Sequence, residues 1–206
     1  MRADARRNYE RIVAIAREAF TEQGADVPLD VIARRAGVGN ATLYRHFPTR
    51  DVLVEAVYRP DIEHLASAAL DLAARHAPRE ALELWVREHF IPAQEQHGFA
   101  VVLKEALARA PEIFTASKKQ FNDATDRLVT AARHAGAIRG DIPTRDILRM
   151  AHGIAVASKT EPESRERMIT VMFDGLRPAP THTRSDARAD QPTPGYHDRI
   201  RRSRGR

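Results

Sequence analysis

Between Asn40 and His46 the chain reads NATLYRH, so an amide, two hydroxyls, a guanidinium and an imidazole fall within seven residues. Carried on a helix, these types match the chemistry of a DNA duplex. An Asn amide pairs bidentately with adenine, a Thr methyl meets the thymine methyl, an Arg reads guanine, and hydroxyls or an imidazole hold phosphate oxygens. A helix over these residues turns Leu43 and Phe47 inward and leaves Asn40, Thr42, Tyr44, Arg45 and His46 projecting. Gly39 or Asn40 would cap its start, where free backbone amides and the positive dipole end also favour a phosphate.

A reading helix needs a brace, and the preceding residues supply the spacing for one. Leu29 to Ala36 predicts a short helix in which Ala33 is small enough for a second helix to cross closely. Gly37, four residues on, tolerates the positive φ of a reversal within about one turn. Val38 and Leu43 then fill the angle between the two helices. This is helix-turn-helix grammar, with the second helix in the major groove and the first across the backbone. The same spacing also fits a surface hairpin with no ligand, because Ala-x3-Gly pairs are common in Ala-rich chains.

The string AxxAGVxxxTLYRHF, followed by PTRDVLVEAV, resembles the amino-terminal domain of TetR-family transcriptional regulators. The likeness covers about Arg7 to Tyr58 and is dense from Ile32 to Leu53. It implies that Tyr44, His46 and Arg50 hold the DNA backbone and that Asn40, Ala41 and Thr42 face bases. It also implies that a first helix packs behind the reading pair and touches phosphate at its start, through Arg6 or Arg7; a solvated charged face explains those two arginines equally well. The sequence departs from the family at Pro28, where a Thr often caps the first helix of the pair and touches phosphate. Proline suits a helix's first turn, so the helix is expected without that hydroxyl contact.

Around the reading pair, Arg6 to Gln23 predicts an amphipathic helix, with Ile12, Ile15, Ala16, Ala19 and Phe20 at helical spacing and Gly24 at its end. Pro48 stops the chain after Phe47, and Thr49 can cap a new helix with Arg50 and Asp51 in its first turn and Val52, Leu53, Ala56 and Val57 inside. Pro60 interrupts a pattern that otherwise continues through Ile62, Leu65, Ala69 and Leu70, and a mid-helix proline kinks or breaks a helix. A boundary is therefore expected at Arg59 and Pro60. It gives a helix-turn-helix unit over 1–59 and a second unit over 60–177, with the proline as either a hinge or a plain break.

The second unit reads as all helical, so the fold class expected for the chain is all-α. Pro78 opens a helix presenting Leu82, Trp85, Val86, His89 and Phe90, and Pro92 closes it. A second run carries Phe99, Val102, Leu103, Ala106 and Leu107. Pro111 starts a third with Phe114, Phe121, Ala124, Leu128 and Ala132, ended by Gly136. Thr144 caps a fourth, and the last presents Met168, Val171, Met172 and Leu176. A helical bundle of this kind can hold a mostly apolar ligand pocket. Trp85, His89, Phe90, Phe99, Phe114 and Phe121 are the candidate lining for a small-molecule effector, although aromatics at helical spacing also serve plain packing. Ala151, Gly153, Ala155, Ala157 and Ser158 permit close helix approach. The resemblance implies a homodimer through the last two helices, while an ordinary buried helix would use the same residues.

Composition removes other function classes. Without cysteine there are no disulfides or thiolate metal sites, and the nine histidines show no His-x3-His pair on a helix, so no metal or cofactor is expected. No phosphate-cradling glycine loop or GxSxG elbow points to catalysis. No apolar run is long enough for a membrane span, so a soluble cytoplasmic protein is expected. The net charge of +5 is concentrated: from Pro178 to Arg206 seven arginines face three aspartates, and that Arg-rich tail is expected to be disordered. From Met1 to Arg50 nine arginines face six acids. The function expected is a ligand-released repressor binding a palindromic operator as a homodimer. The alternatives are a sequence-indifferent, architectural DNA-binding protein and a ligand-binding bundle with an incidental hairpin.

Overall fold

The computed structural model describes residues 2–24, 26–95 and 99–178, and the side chains of all of these except Arg2, Glu95 and 99–101. Every regular element among them is helical. Helix α1 (Arg2–Gln23) buries Ile12, Ala16, Ala19 and Phe20 completely and ends at Gly24, φ +80°. It begins one turn before the amphipathic pattern does. The extra turn is polar and carries the pairs Arg6–Glu10 and Arg7–Asp4 at helical spacing, which support a helix that buries nothing.

Helices α2 (Leu29–Arg35) and α3 (Asn40–His46) meet at a tight bend. The Val38 amide donates to the Ala33 carbonyl at 3.0 Å and the Gly37 amide to the Arg34 carbonyl at 3.1 Å. With Gly37 at φ +64°, this is the double closure of a helix that ends on a left-handed residue. Pro28 stands just before α2 and its carbonyl accepts from Val31 and Ile32, but no side chain caps the helix. The helix therefore forms without a hydroxyl at that end.

Helix α4 (Arg50–Arg75) is the axis of the molecule, packed against α1 and most of the bundle. Thr49 caps it, its hydroxyl oxygen accepting from the Val52 amide at 3.3 Å. Of the two expectations for Pro60 the plain break is absent: α4 runs through it. Proline removes one helical hydrogen bond and crowds the carbonyl four residues back. Here Arg17 of α1 fastens the neighbouring turn from outside. Its guanidinium donates to the Val57 carbonyl, bonds Asp61 Oδ2 at 2.7 Å, and lies 5.9 Å over the Tyr58 ring. Burial in this joint pushes the Tyr58 hydroxyl up to about 12, against the opposing pull of Arg17.

Beyond α4 come α5 (Pro78–Leu84), a π-wound turn (Trp85–Phe90), α6 (Ile91–Glu95), α7 (Phe99–Arg109), α8 (Thr115–His134), α9 (Thr144–Ala157) and α10 (Pro162–Gly175). Two expected boundaries move. Pro92 does not close its helix, because the wider π turn that precedes it relieves the clash a proline ring makes in an α-helix. Pro111 does not open α8; residues 111–114 form a separate turn that sends Phe114 into the core. In α10 the buried stripe is Ile169, Met172, Phe173 and Leu176, while Val171, expected inside, is 71% exposed.

Two hydrophobic cores result. One joins α1 to α3 and the start of α4, and is completed by Val102 and Ala106 of α7 together with Phe114. The other gathers the rest of α4 from Leu65 onward with α5, the π turn, α6, α8, α9 and α10. Helix α7 serves the first core on one face and, as described below, a cavity on another.

Candidate nucleic-acid interface and the adjoining cavity

Helix α3 has two unlike faces. Leu43 is wholly buried, and Phe47 just beyond the helix is 1% exposed, packed with Ile32 and Ala33. On the other face Asn40, Ala41, Tyr44 and Arg45 are exposed, and Thr42 and His46 half-buried. Tyr44 is 50% exposed, an aromatic ring left half in water. Gly39 takes the capping position in extended backbone, with no side-chain cap. Arg50, half-buried in the first turn of α4, lies three residues beyond Phe47.

The electrostatics follow from the chain itself. From Val31 to Arg50 there is no acidic residue, while Arg34, Arg35, Arg45, His46 and Arg50 are all basic types. Arg35 is committed elsewhere: it bonds Glu22 of α1 at 2.7 and 3.2 Å and approaches Glu18 at 3.5 Å. That guanidinium holds the Glu22 carboxyl below the usual carboxylate range, and the pairing fixes α2 on α1. Arg6 and Arg7 are exposed, each with a carboxylate neighbour on its own helix; such surface pairs hold a side chain only weakly.

Two supports of this surface are not evident from the local sequence pattern. Tyr9 of α1 stacks at 5.0 Å on Phe47 and meets the His46 ring edge-on at 6.1 Å, so α1 orients the histidine at the end of α3. Only its place three residues before Ile12, on the apolar stripe, hints at this. Arg109 of α7 bonds Asp51 in the first turn of α4 at 2.9 and 3.3 Å, tying the segment that carries Arg50 to α7.

A cavity of about 320 Å³ opens between α4, α6, α7, α8 and α9, lined among others by Ile62, Phe90, Leu107, Phe114 and Phe121. Of the aromatics singled out from the sequence, Phe90, Phe114 and Phe121 share this wall. Trp85 does not: it is fully buried behind it, stacked on Phe90 at 5.2 Å and donating from Nε1 to the Leu65 carbonyl at 2.8 Å. His89 also lies off the cavity, its ring 5.4 Å from His64; burial, then His64, lowers its pKa. The side chain of Phe99 is outside the described residues. Successive residues on a helix point in different directions, so Phe90 borders the cavity while its neighbour His89 meets His64.

Polar side chains interrupt the apolar wall. Ser117 donates to Glu55 Oε1 at 2.9 Å, and Glu55, 6% exposed, is also held by Arg59. Gln94 and His152 pair across the wall at 3.1 Å, and Lys104 and Lys118 complete it. Ser117 with Glu55 and Gln94 with His152 are invisible to an apolar periodicity because each is defined by a partner on another helix. Among the described residues, no group of three or more His, Asp or Glu is arranged to hold a metal, and no helix is long and apolar enough to cross a membrane.

Residues 12–57 match the family model described as bacterial regulatory proteins, tetR family. Residues 77–178 match a model described as transcriptional regulator SbtR-like, C-terminal domain. Among solved structures, a TetR transcriptional regulator from Streptomyces coelicolor is 38% identical, with 83% of this chain and 99% of that one aligned at a TM-score of 0.58. A TetR regulatory protein from Mycobacterium vanbaalenii is 34% identical over 86% and 99%, at 0.54. An HTH-type transcriptional regulator of Staphylococcus aureus is 39% identical over 64 residues, 31% of this chain. That match spans about a third of the curated relative's length, 35%.

Proposed function

The chain belongs to the TetR family of transcriptional regulators, and from that premise we propose that it is a cytoplasmic, sequence-specific repressor that binds a palindromic operator as a homodimer and leaves it when a small apolar or amphipathic effector fills the cavity. The observation that carries the reading is the division of α3, with Leu43 anchored in the core while Asn40, Ala41, Thr42, Tyr44, Arg45 and His46 are directed outward in a stretch free of acids. Tyr44, His46 and Arg50 then grip phosphate, while Asn40, Ala41, Thr42 and Arg45 read base edges. Two such helices reach successive major grooves when the half-sites lie roughly 34 to 36 Å apart.

Dimerisation through α9 and α10 is supported by what those helices leave uncovered. Val156 is 64% exposed, Val171 71% and Met150 40%, beside the exposed small residues Gly153 and Ala157. Release is supported by α7, which presents Leu103, Lys104 and Leu107 to the cavity while Val102 and Ala106 belong to the amino-terminal core and Arg109 holds Asp51. An effector that prefers a different position of α7 thereby favours a different placement of α3, and the coupling equals its difference in affinity for the two states.

The test is a gel-shift titration of Tyr44→Phe combined with His46→Ala on an operator selected from a random duplex pool. A loss of roughly tenfold or more is expected for two phosphate contacts removed. Unchanged affinity would contradict these roles, and a specificity ratio near one between operator and random duplex would replace the reading with a sequence-indifferent binder.

A further inference from the structure

The chain has 33 Lys and Arg side chains, of which only four are lysine, at positions 104, 118, 119 and 159. Two of those four line the same cavity from different helices, Lys104 from α7 and Lys118 from α8. Both are exposed residues, which places them at its opening. Among the described residues neither has a carboxylate or hydrogen-bond partner. Lys119, one position along the same helix, shows the contrast by pairing with Asp123 at 2.5 Å. Among the described residues no acid lines the cavity, and Glu55, bonded to the lining residue Ser117, is already held by Arg59.

We propose that the cavity takes an amphipathic organic acid, its apolar body between Ile62, Leu65, Phe90, Phe114 and Phe121 and its acid group between the ammonium groups of Lys104 and Lys118. This rests on the reading of the cavity as the effector site and adds the chemical class of the effector. The apolar wall alone would accept any oily molecule. Two like charges facing one opening repel each other and lose hydration when it is covered, so an occupant that brings an anion is favoured over a neutral one and strongly over a cation. Lysine suits the task because an ammonium on a flexible stem follows an acid group to whatever depth the body reaches. With a volume of about 320 Å³, at the small end of the range of roughly 300 to 1,000 Å³ found for ligand pockets, a body of medium length fits. The Gln94–His152 pair, from α6 and α9, offers a further hydrogen-bonding position for an occupant that carries a polar group along its body.

The experiment uses decanoate, decanol and decylamine, matched in length and kept below aggregation, titrated into the full-length protein. Trp85 is the single tryptophan, stacked on the lining residue Phe90 and 6.1 Å from Phe121, so its fluorescence reports occupancy. Decanoate is expected to bind at least about tenfold tighter than decanol, as charge-assisted contacts exceed neutral ones, with decylamine weakest. In the double variant Lys104→Met with Lys118→Met the preference for acid over alcohol should vanish while decanol binds as before, which also shows that the fold is intact. Equal affinity for decanoate and decanol, an acid preference that survives the double variant, or no binding by any of the three would each overturn the proposal. A parallel gel-shift separates it from the reading beneath: decanoate that binds with lysine-dependent preference but leaves the operator complex intact refutes the effector role and keeps the acid site. Release by decanoate and decanol alike does the reverse.

Discussion

The bend that aims α3 rests on one backbone torsion, and Gly37→Ala tests it. Gly37 sits at φ +64°, and a Cβ built there meets nothing within 4 Å. No clash contributes, so the cost is conformational only. Placing an L-residue in the left-handed region costs roughly 1 to 2 kcal/mol, against a gain of about 0.4 to 1 kcal/mol from the more restricted unfolded chain. The net expectation is a loss of about 1 kcal/mol, which a chemical denaturation curve resolves as a lower midpoint with unchanged slope. Gly140 is the internal control. It too has open space for a Cβ, and its φ lies outside the left-handed range, so Gly140→Ala should be neutral or gain the unfolded-state term. Gly37→Asn should fall between, because Asn tolerates the left-handed region better than Ala. If Gly37→Ala matched or exceeded the wild type in stability, the bend would not need positive φ, and the account of how α2 positions α3 would fail.

Three further outcomes follow from the same structure. Val156→Arg with Val171→Arg should shift the protein toward monomer in sedimentation at micromolar concentration, with a dimer constant weakened on the order of a hundredfold or more, since each buried Val is worth about 1.5 kcal/mol or more; unchanged sedimentation would move the interface off α9 and α10. His89 is held below its ordinary value by burial and by His64, so the unfolded chain binds its proton more readily than the native one. The resulting stability is present above the unfolded value of about 6.5 and is lost as pH falls through the lower folded value; His89→Gln should flatten the fall in denaturation midpoint between about pH 7 and 5, and an identical slope would refute it. Ser117→Ala removes one of the hydrogen bonds at Glu55 while leaving Arg59 in place, so a cost of about 1 kcal/mol in denaturation is expected, and no cost would mean that this bond between α8 and α4 contributes nothing.

What the sequence made legible was local. The positions of α2 and α3, the glycine between them and the burial of Leu43 and Phe47 depend on residues within 20 positions of each other, and their spacing is a direct record of the geometry. The cavity was legible only as an apolar helix face. Periodicity distinguishes inside from outside, but Trp85 and Phe90 are equally inside, and which of them borders empty space depends on the helices packed opposite. Lys104, Lys118, Ser117 and Glu55 were hidden for a different reason, because each acquires its meaning from a side chain on another helix. Val171 was misplaced because α10 carries apolar residues on two faces, and a single-chain wheel has no way to say that one of them stays uncovered.

Pro60 shows most plainly where local rules yield to tertiary ones. An interior proline costs a helix about 3 kcal/mol or more, which makes a break the natural expectation from sequence. The carbonyl left without a helical donor is that of Ala56, and one residue along Arg17 offsets the cost with two charge-assisted contacts, to the Val57 carbonyl and to Asp61, each of a kind worth about 1.5 to 3 kcal/mol. Both partners are partly buried, with 35% and 22% of their side chains exposed, so these contacts are screened less than a surface pair. The proline thereby becomes the point where α1 is fastened to α4 instead of the point where α4 comes apart. With Asp51 fastened to α7 nine residues earlier and Glu55 to α8 between them, the first half of α4 is held to three different helices by polar contacts. Motion of the amino-terminal core relative to the bundle must therefore exchange specific hydrogen bonds, which favours a few discrete positions over continuous bending at a flexible joint.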